Sequence, residues 1–157
     1  MSALTVMLMR HGHAVDEAPH LGDHGRWLTA KGRERTRHVA QQLAERKERP
    51  TLIWTSPLVR AVQTADIVAS VLGFAEEIPA LAELVVDGRP RSVAQMIHAH
   101  DNTDDVILLV GHEPSLSVLA NILLGAHEWG GFKKSGLLAL AVDAKKQNAR
   151  RLFSIEP

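Results

Sequence analysis

Leu4-Thr5-Val6-Met7-Leu8-Met9-Arg10-His11-Gly12 sets the reading of the whole chain. Leu4 to Met9 is a short, mostly apolar run with a glycine close behind it, which suits a buried central strand better than a helix. It passes at once to a guanidinium and an imidazole. In open α/β sheets ligands collect beyond the carboxyl ends of the strands, so Arg10 and His11 are aimed at a crevice rather than at the core.

The same transition recurs further along. Asp105-Val-Ile-Leu-Leu-Val110 is the strongest strand signal, a continuous apolar run of the kind buried on both faces of a parallel sheet, and Gly111-His112 follows immediately. Thr51 to Thr55 reads as a further short strand. Ser56-Pro57 after it reads as an N-cap with proline at the first helical position, which places Arg60 in the first turn of the next helix. Leu58, Ala61, Val62, Ala65, Val68, Ala69 and Leu72 share one face of that helix, and Gly73 stops it.

Between these strands, His13 to Trp27 is rich in His, Asp, Gly and Pro without periodicity and reads as a loop over the first strand's end. Thr29 caps a helix running to about Lys47, with Thr36, Val39, Ala40 and Leu43 as its apolar stripe. A short strand is expected near Glu77 to Pro79, then a loop to Pro90 with a turn at Asp87-Gly88 and a short helix capped by Ser92. Glu113-Pro114 opens a helix closed by Gly125, and Leu137 to Val142 with Arg151 to Ile155 form a terminal strand pair. Trp129, among glycines, is expected to be exposed. Alternating strands and helices predict an α/β fold, with a mostly parallel central sheet covered by helices on both faces.

The 157 residues fit one domain spanning 1–157. The 18 Lys+Arg and 18 Asp+Glu residues cancel, which argues against the broad basic field of a nucleic-acid binder, so any anion site is local. The chain contains no cysteine, hence no disulfide framework, thiolate metal site or thiol nucleophile. No apolar run approaches membrane-spanning length and no signal-like start is evident. The expectation is a soluble cytoplasmic protein.

Three strand ends thus carry Arg10 with His11, Arg60 and His112, all expected in one crevice. Two arginines suit a phosphoryl group, since their planar forks donate paired hydrogen bonds and keep their charge at physiological pH. A neutral histidine between them, held in one tautomer through its other nitrogen, can attack phosphorus and form a phosphohistidine enzyme. Like-charge repulsion from the arginines is expected to lower the pKa of His11. His112 can donate to a phosphoryl oxygen.

Arg10-His11-Gly12, Ser56-Pro57-Leu58-Val59-Arg60-Ala61-Val62-Gln63-Thr64-Ala65 and Val110-Gly111-His112-Glu113-Pro114 resemble, in order and spacing, the motifs of the histidine phosphatase (phosphoglycerate mutase-like) superfamily. Asp23 to Gly32 further resembles the small SixA-type phosphohistidine phosphatases. The resemblance implies a three-layer α/β/α sandwich, with His11 as nucleophile and Arg10, Arg60 and His112 binding phosphate. It implies a general acid too, for which Glu83, in Leu81-Ala82-Glu83-Leu84, is the candidate; an ordinary loop carboxylate is the alternative. No cofactor is implied, and inorganic phosphate is the product. His13-Ala14 stands where the mutases carry Glu-Ser, and no mutase-like continuation follows Glu83. That shifts the expected substrate from small phosphoesters towards a phosphohistidine-bearing protein, because imidazole leaves easily once protonated.

Three alternatives stand beside this reading. One is a small-molecule phosphomonoester or phosphoanhydride phosphatase of the same superfamily, and another a non-catalytic phosphate or phosphohistidine-binding module. The third is a zinc site built from His11, His13, His24 and His112, which the neighbouring arginines disfavour. His13, His20 and His24 are otherwise read as solvated loop residues or substrate contacts.

Overall fold

Residues 3–157 are described by a computed structural model. The elements run β1 (Leu4–Arg10), α1 (Ala30–Ala44), β2 (Leu52–Thr55), α2 (Val59–Leu72), a 3-10 turn (Ala82–Leu84), α3 (Pro90–His98), β3 (Val106–Gly111), α4 (Ser115–Leu124), β4 (Leu137–Asp143) and β5 (Asn148–Ile155). The strands form one sheet in the order β2-β3-β1-β4-β5. β2 and β3, and β3 and β1, pair in parallel, whereas β1–β4 and β4–β5 are antiparallel. The expected mostly parallel sheet therefore holds for its β2-β3-β1 half. The terminal strand pair closes the other edge with antiparallel pairing, because its short polar turn permits only a hairpin.

Side-chain alternation divides the core between the two faces. Leu4, Val6 and Leu8 of β1 join Ile107 and Leu109 of β3 beneath α3 and α4, whose Val93, Ile97, Leu116, Leu119 and Leu123 cover them. Met7 and Met9 join Leu108 and Val110 on the opposite face, beneath Val39, Ala40 and Leu43 of α1 and Ala61, Ala65 and Val68 of α2. The result is the α/β/α sandwich. Because β1, β2 and β3 are parallel, their carboxyl ends share one edge, and Arg10-His11, Ser56 and His112 all lie there.

Local expectations fared unevenly. Thr29 caps α1 as expected, its hydroxyl accepting from the Gly32 amide at 3.0 Å, although α1 ends at Ala44 rather than near Lys47. Gly73 and Gly125 terminate α2 and α4 in the left-handed conformation. Ser56 is not the N-cap of α2: Leu58 occupies that position without a side-chain bond, and the helix starts at Val59. Arg89 rather than Ser92 precedes α3, which begins with Pro90. Glu77 to Pro79 forms no strand; only Ala80 makes an isolated bridge to Thr55. Trp129 is half-buried, its ring 5.2 Å from that of Phe132 with the Arg151 guanidinium over it.

Candidate active site

At the end of β1, the His11 amide donates to Gly111 O (3.1 Å) and its carbonyl accepts from the Ser135 amide (3.1 Å), so the backbone is held from both neighbouring segments. The ring is buried, at 7% exposure. Its Nδ1–H donates to Gly12 O at 2.7 Å, which fixes the tautomer and leaves the Nε2 lone pair available. The pKa of His11 is lowered to about 3, chiefly by burial, with lesser contributions from His112, Arg60 and Arg10 against the opposing Gly12 bond. The downward direction matches the expectation from sequence. The cause differs: desolvation outweighs like-charge repulsion.

The His112 ring lies 4.9 Å from that of His11, tilted by 52°. It too is buried, and its pKa falls to about 4, again through desolvation first and then Arg60. His112 Nε2 pairs with Ser56 Oγ at 2.7 Å, and the same oxygen accepts the Leu58 amide at 3.2 Å. With one lone pair taken by that amide, Ser56 is placed to donate its hydroxyl hydrogen to Nε2. The imidazole proton then resides on Nδ1, which is buried without a partner.

Arg10, on the α3/α4 side of β1, donates through Nη1 to Phe132 O at 2.9 Å. Arg60 in the first turn of α2 is 3% exposed and donates through Nη1 to Asp23 O (2.7 Å) and through Nη2 to Asp23 Oδ2 (3.2 Å). The fork expected to grip phosphate is thus partly engaged by Asp23. Both arginines keep a buried Nε–H with no partner. Buried donors are almost always paired, so three orphans, Arg10 Nε, Arg60 Nε and His112 Nδ1, on residues that surround one neutral imidazole call for an acceptor-rich anion.

Glu83 sits half-buried in the 3-10 turn and lines a recess together with Gly111, His112 and Ser115. Its carbonyl accepts the Arg89 amide at 3.0 Å. Gly88 closes this turn because a Cβ there would collide with Glu83 O. The structure therefore brings Glu83 into the recess that His112 lines, and sets the His11 ring against that of His112 with Arg60 and Arg10 near enough to lower the pKa of His11.

Three supporting residues, Asp23, Thr64 and Glu113, lie within the quoted motif stretches, but their roles were not legible there. Asp23 also accepts from Arg26 Nη1 at 3.0 Å; burial opposes its charge, but the bonds from Arg26 and Arg60 prevail and hold its carboxyl below the usual value. Glu113 accepts from the Phe132 amide (3.1 Å) and from the Ser117 amide (2.9 Å) and hydroxyl (2.5 Å). It thereby positions the segment whose carbonyl holds Arg10. Thr64 Oγ1 accepts the Gly12 amide (3.0 Å) and donates to Arg60 O (2.8 Å), joining the two motif segments. Among the described residues no three His, Asp or Glu side chains converge in a metal-ligating group, so His11, His13, His24 and His112 do not make the zinc cluster weighed as an alternative.

The family model for the histidine phosphatase superfamily (branch 1) matches residues 6–86. An uncharacterised protein of Picosynechococcus sp. is 33% identical over 155 residues, covering 93% of this chain and 90% of that protein. Phosphohistidine phosphatase SixA of Escherichia coli is 28% identical over 141 residues, covering 89% and 86%. The solved structure of the protein histidine phosphatase SixA complexed with tungstate superimposes with a TM-score of 0.90 at 26% identity, covering 98% of this chain and 97% of that one. The chain belongs to the histidine phosphatase superfamily. Within it the chain is of the SixA type, and it is a phosphatase.

Proposed function

We propose that this phosphatase hydrolyses phosphohistidine carried on another protein, through a covalent phosphate on His11. The observation that carries the reading is the set of three buried, unpartnered donors, Arg10 Nε, Arg60 Nε and His112 Nδ1, around a neutral His11 whose Nε2 is free. Such donors suit the equatorial oxygens of a phosphoryl group, and their interaction grows as charge develops on it. Tungstate, the oxyanion in the SixA complex, has the shape of phosphate and fits the same reading.

The His11 Nε2 lone pair attacks phosphorus, and the bond from phosphorus to the substrate's imidazole nitrogen breaks. The released electron pair stays on that nitrogen, which takes a proton from solvent or from Glu83. Water then attacks phosphorus, the bond to Nε2 breaks, and inorganic phosphate leaves with His11 restored. An imidazole leaving group needs less help from an acid than an alkoxide does, so Glu83, beside His112 in its recess, assists rather than limits this step. Phosphohistidine as the substrate accords with the activity named for the Escherichia coli relative, and a protein carrier with the protein histidine phosphatase SixA of the tungstate complex. A chain without cysteine accords with a reducing, cytoplasmic setting.

The test is rapid quenching with phosphorus-labelled phosphohistidine peptide, free phosphohistidine and a panel of phosphoesters. Acid-labile, alkali-stable label should appear on the wild-type enzyme and be lost in His11→Ala. Faster turnover of phosphoesters than of every phosphohistidine substrate would replace the proposed substrate, and phosphate binding without turnover would leave only a binding module.

A further inference from the structure

The chain is neutral as a whole, but its cations are not spread evenly. α1 carries Lys31, Arg33, Arg35 and Arg37 against a single acid, Glu34. None of the four cations belongs to an ion pair among the described residues. Lys31, Glu34, Arg35, Arg37, His38 and Gln41 line one open groove along the exposed face of this helix.

α1 adjoins the candidate active site through its buried side, on which Gly32 and Thr36 lie, and Lys31 and Arg35 neighbour those two residues on the helix. Gly32 packs so closely on the segment after the nucleophile that a Cβ would collide with His13 O. Thr29 Oγ1 pairs with His13 Nδ1 at 2.9 Å. Lys134, also exposed, precedes Ser135, whose amide donates to His11 O and whose hydroxyl pairs with Thr36 Oγ1 of α1 at 2.9 Å. His13 reports the local field: its pKa is lowered by desolvation first, then by Lys134, Lys31 and Arg35, with Asp16 acting in the other sense. Arg10, Arg60 and His112 are themselves placed to meet the phosphate, so cations along a helix beside the pocket are left to meet acidic groups of whatever presents it.

Resting on the proposed phosphohistidine-protein activity, we infer that Lys31 and Arg35 of α1, together with Lys134, form a docking surface for an acidic face of the protein that carries the phosphohistidine. Local charge of this kind accelerates encounter by roughly 10-fold to 10³-fold at low salt and fades as the Debye length shrinks. Nucleic acid is the weaker match, since it calls for a wide basic field on a chain whose net charge is zero.

The test uses histidine-phosphorylated peptides of equal length flanked by glutamates, glutamines or lysines, with free phosphohistidine as reference. For the wild-type enzyme at low salt, kcat/KM should fall from the glutamate to the lysine peptide by about tenfold or more, and the spread should collapse at high salt. In the triple variant Lys31→Glu, Arg35→Glu, Lys134→Glu the order should reverse while free phosphohistidine is turned over within about twofold of wild type. The milder Lys31→Gln, Arg35→Gln, Lys134→Gln should abolish the order. A wild-type enzyme indifferent to flanking charge, or a variant that loses all substrates equally, overturns the docking surface. Inhibition of small-phosphoester hydrolysis by polyglutamate, lost in the triple variant, reads the surface without any phosphohistidine. If no phosphohistidine substrate were turned over, the functional reading would fail while this measurement still decided the surface. A DNA oligonucleotide inhibiting more strongly than polyglutamate of equal charge would assign the face to nucleic acid and overturn the proposal.

Discussion

Burying two neutral imidazoles side by side makes stability depend on pH below the ordinary imidazole value. Folding lowers the pKa of His11 from 6.5 to about 3 and that of His112 to about 4. Below pH 6.5 the unfolded chain binds protons at these positions that the folded chain refuses, so stability is complete above the unfolded value and declines as pH falls towards the folded values. At pH 5 each ring sits about 1.5 units below its unfolded pKa, which at about 1.36 kcal/mol per unit removes about 2 kcal/mol per ring. The pair together costs about 4 kcal/mol between pH 8 and pH 5, a large part of the ~5–15 kcal/mol that holds a typical domain together. His13, whose pKa is also lowered, adds to the loss in the same direction, whereas the lowered carboxyls of Asp23 and Asp105 lose stability only as pH falls further. Urea unfolding at pH 8 and pH 5, in buffers free of phosphate and sulfate, checks this directly. His11→Asn, whose side-chain amide can still donate to Gly12 O, should reduce the pH-dependent loss by about 2 kcal/mol. If wild type and His11→Asn lose stability equally between the two pH values, His11 is not the buried neutral base described here. Phosphate added at pH 5 should restore part of the loss, since an anion favours the protonated rings and binds only the folded chain.

Removing Arg60 as Arg60→Ala should lower turnover by about 10² to 10³, the usual effect of losing one donor to a developing anion, and should weaken phosphate competition in the same assay. Glu83→Gln should depress cleavage of an alkyl phosphomonoester by about 10² while phosphohistidine cleavage falls less than tenfold, measured as kcat for each substrate. Ser56→Ala deprives His112 Nε2 of its partner and frees the imidazole to place its proton on either nitrogen. Turnover should fall by roughly tenfold with a shifted acid limb in the pH–rate profile, whereas a merely structural role would leave the profile unmoved.

The strand ends were legible because each is a local pattern. An apolar run of five or six residues followed by glycine or a charged group identifies β1 and β3 without reference to the rest of the chain, and both lie where expected. Thr29, Gly73 and Gly125 were readable for the same reason, since a cap acts within one turn. Ser56 shows the limit. Its position before proline looks like a cap, but its hydroxyl is drawn to an imidazole 56 residues away in sequence, and α2 begins without it. Glu77 to Pro79 has a strand-like setting, but the segment meets the free edge of β2 only at Thr55, through the single bridge to Ala80.

The sequence by itself determined which residues have the chemistry: an imidazole and a guanidinium at the end of β1, a second arginine at the start of α2, and a second imidazole after β3. Those assignments depend on residue type and near-neighbour pattern, which the chain carries locally. Only the tertiary structure decided the state of each group. Phe132 holds Arg10 across 122 residues, Asp23 engages Arg60 across 37, and burial rather than repulsion keeps His11 neutral. Hydrogen bonds need atoms within about 3 Å and desolvation needs a closed surface, and neither is encoded by spacing along the chain.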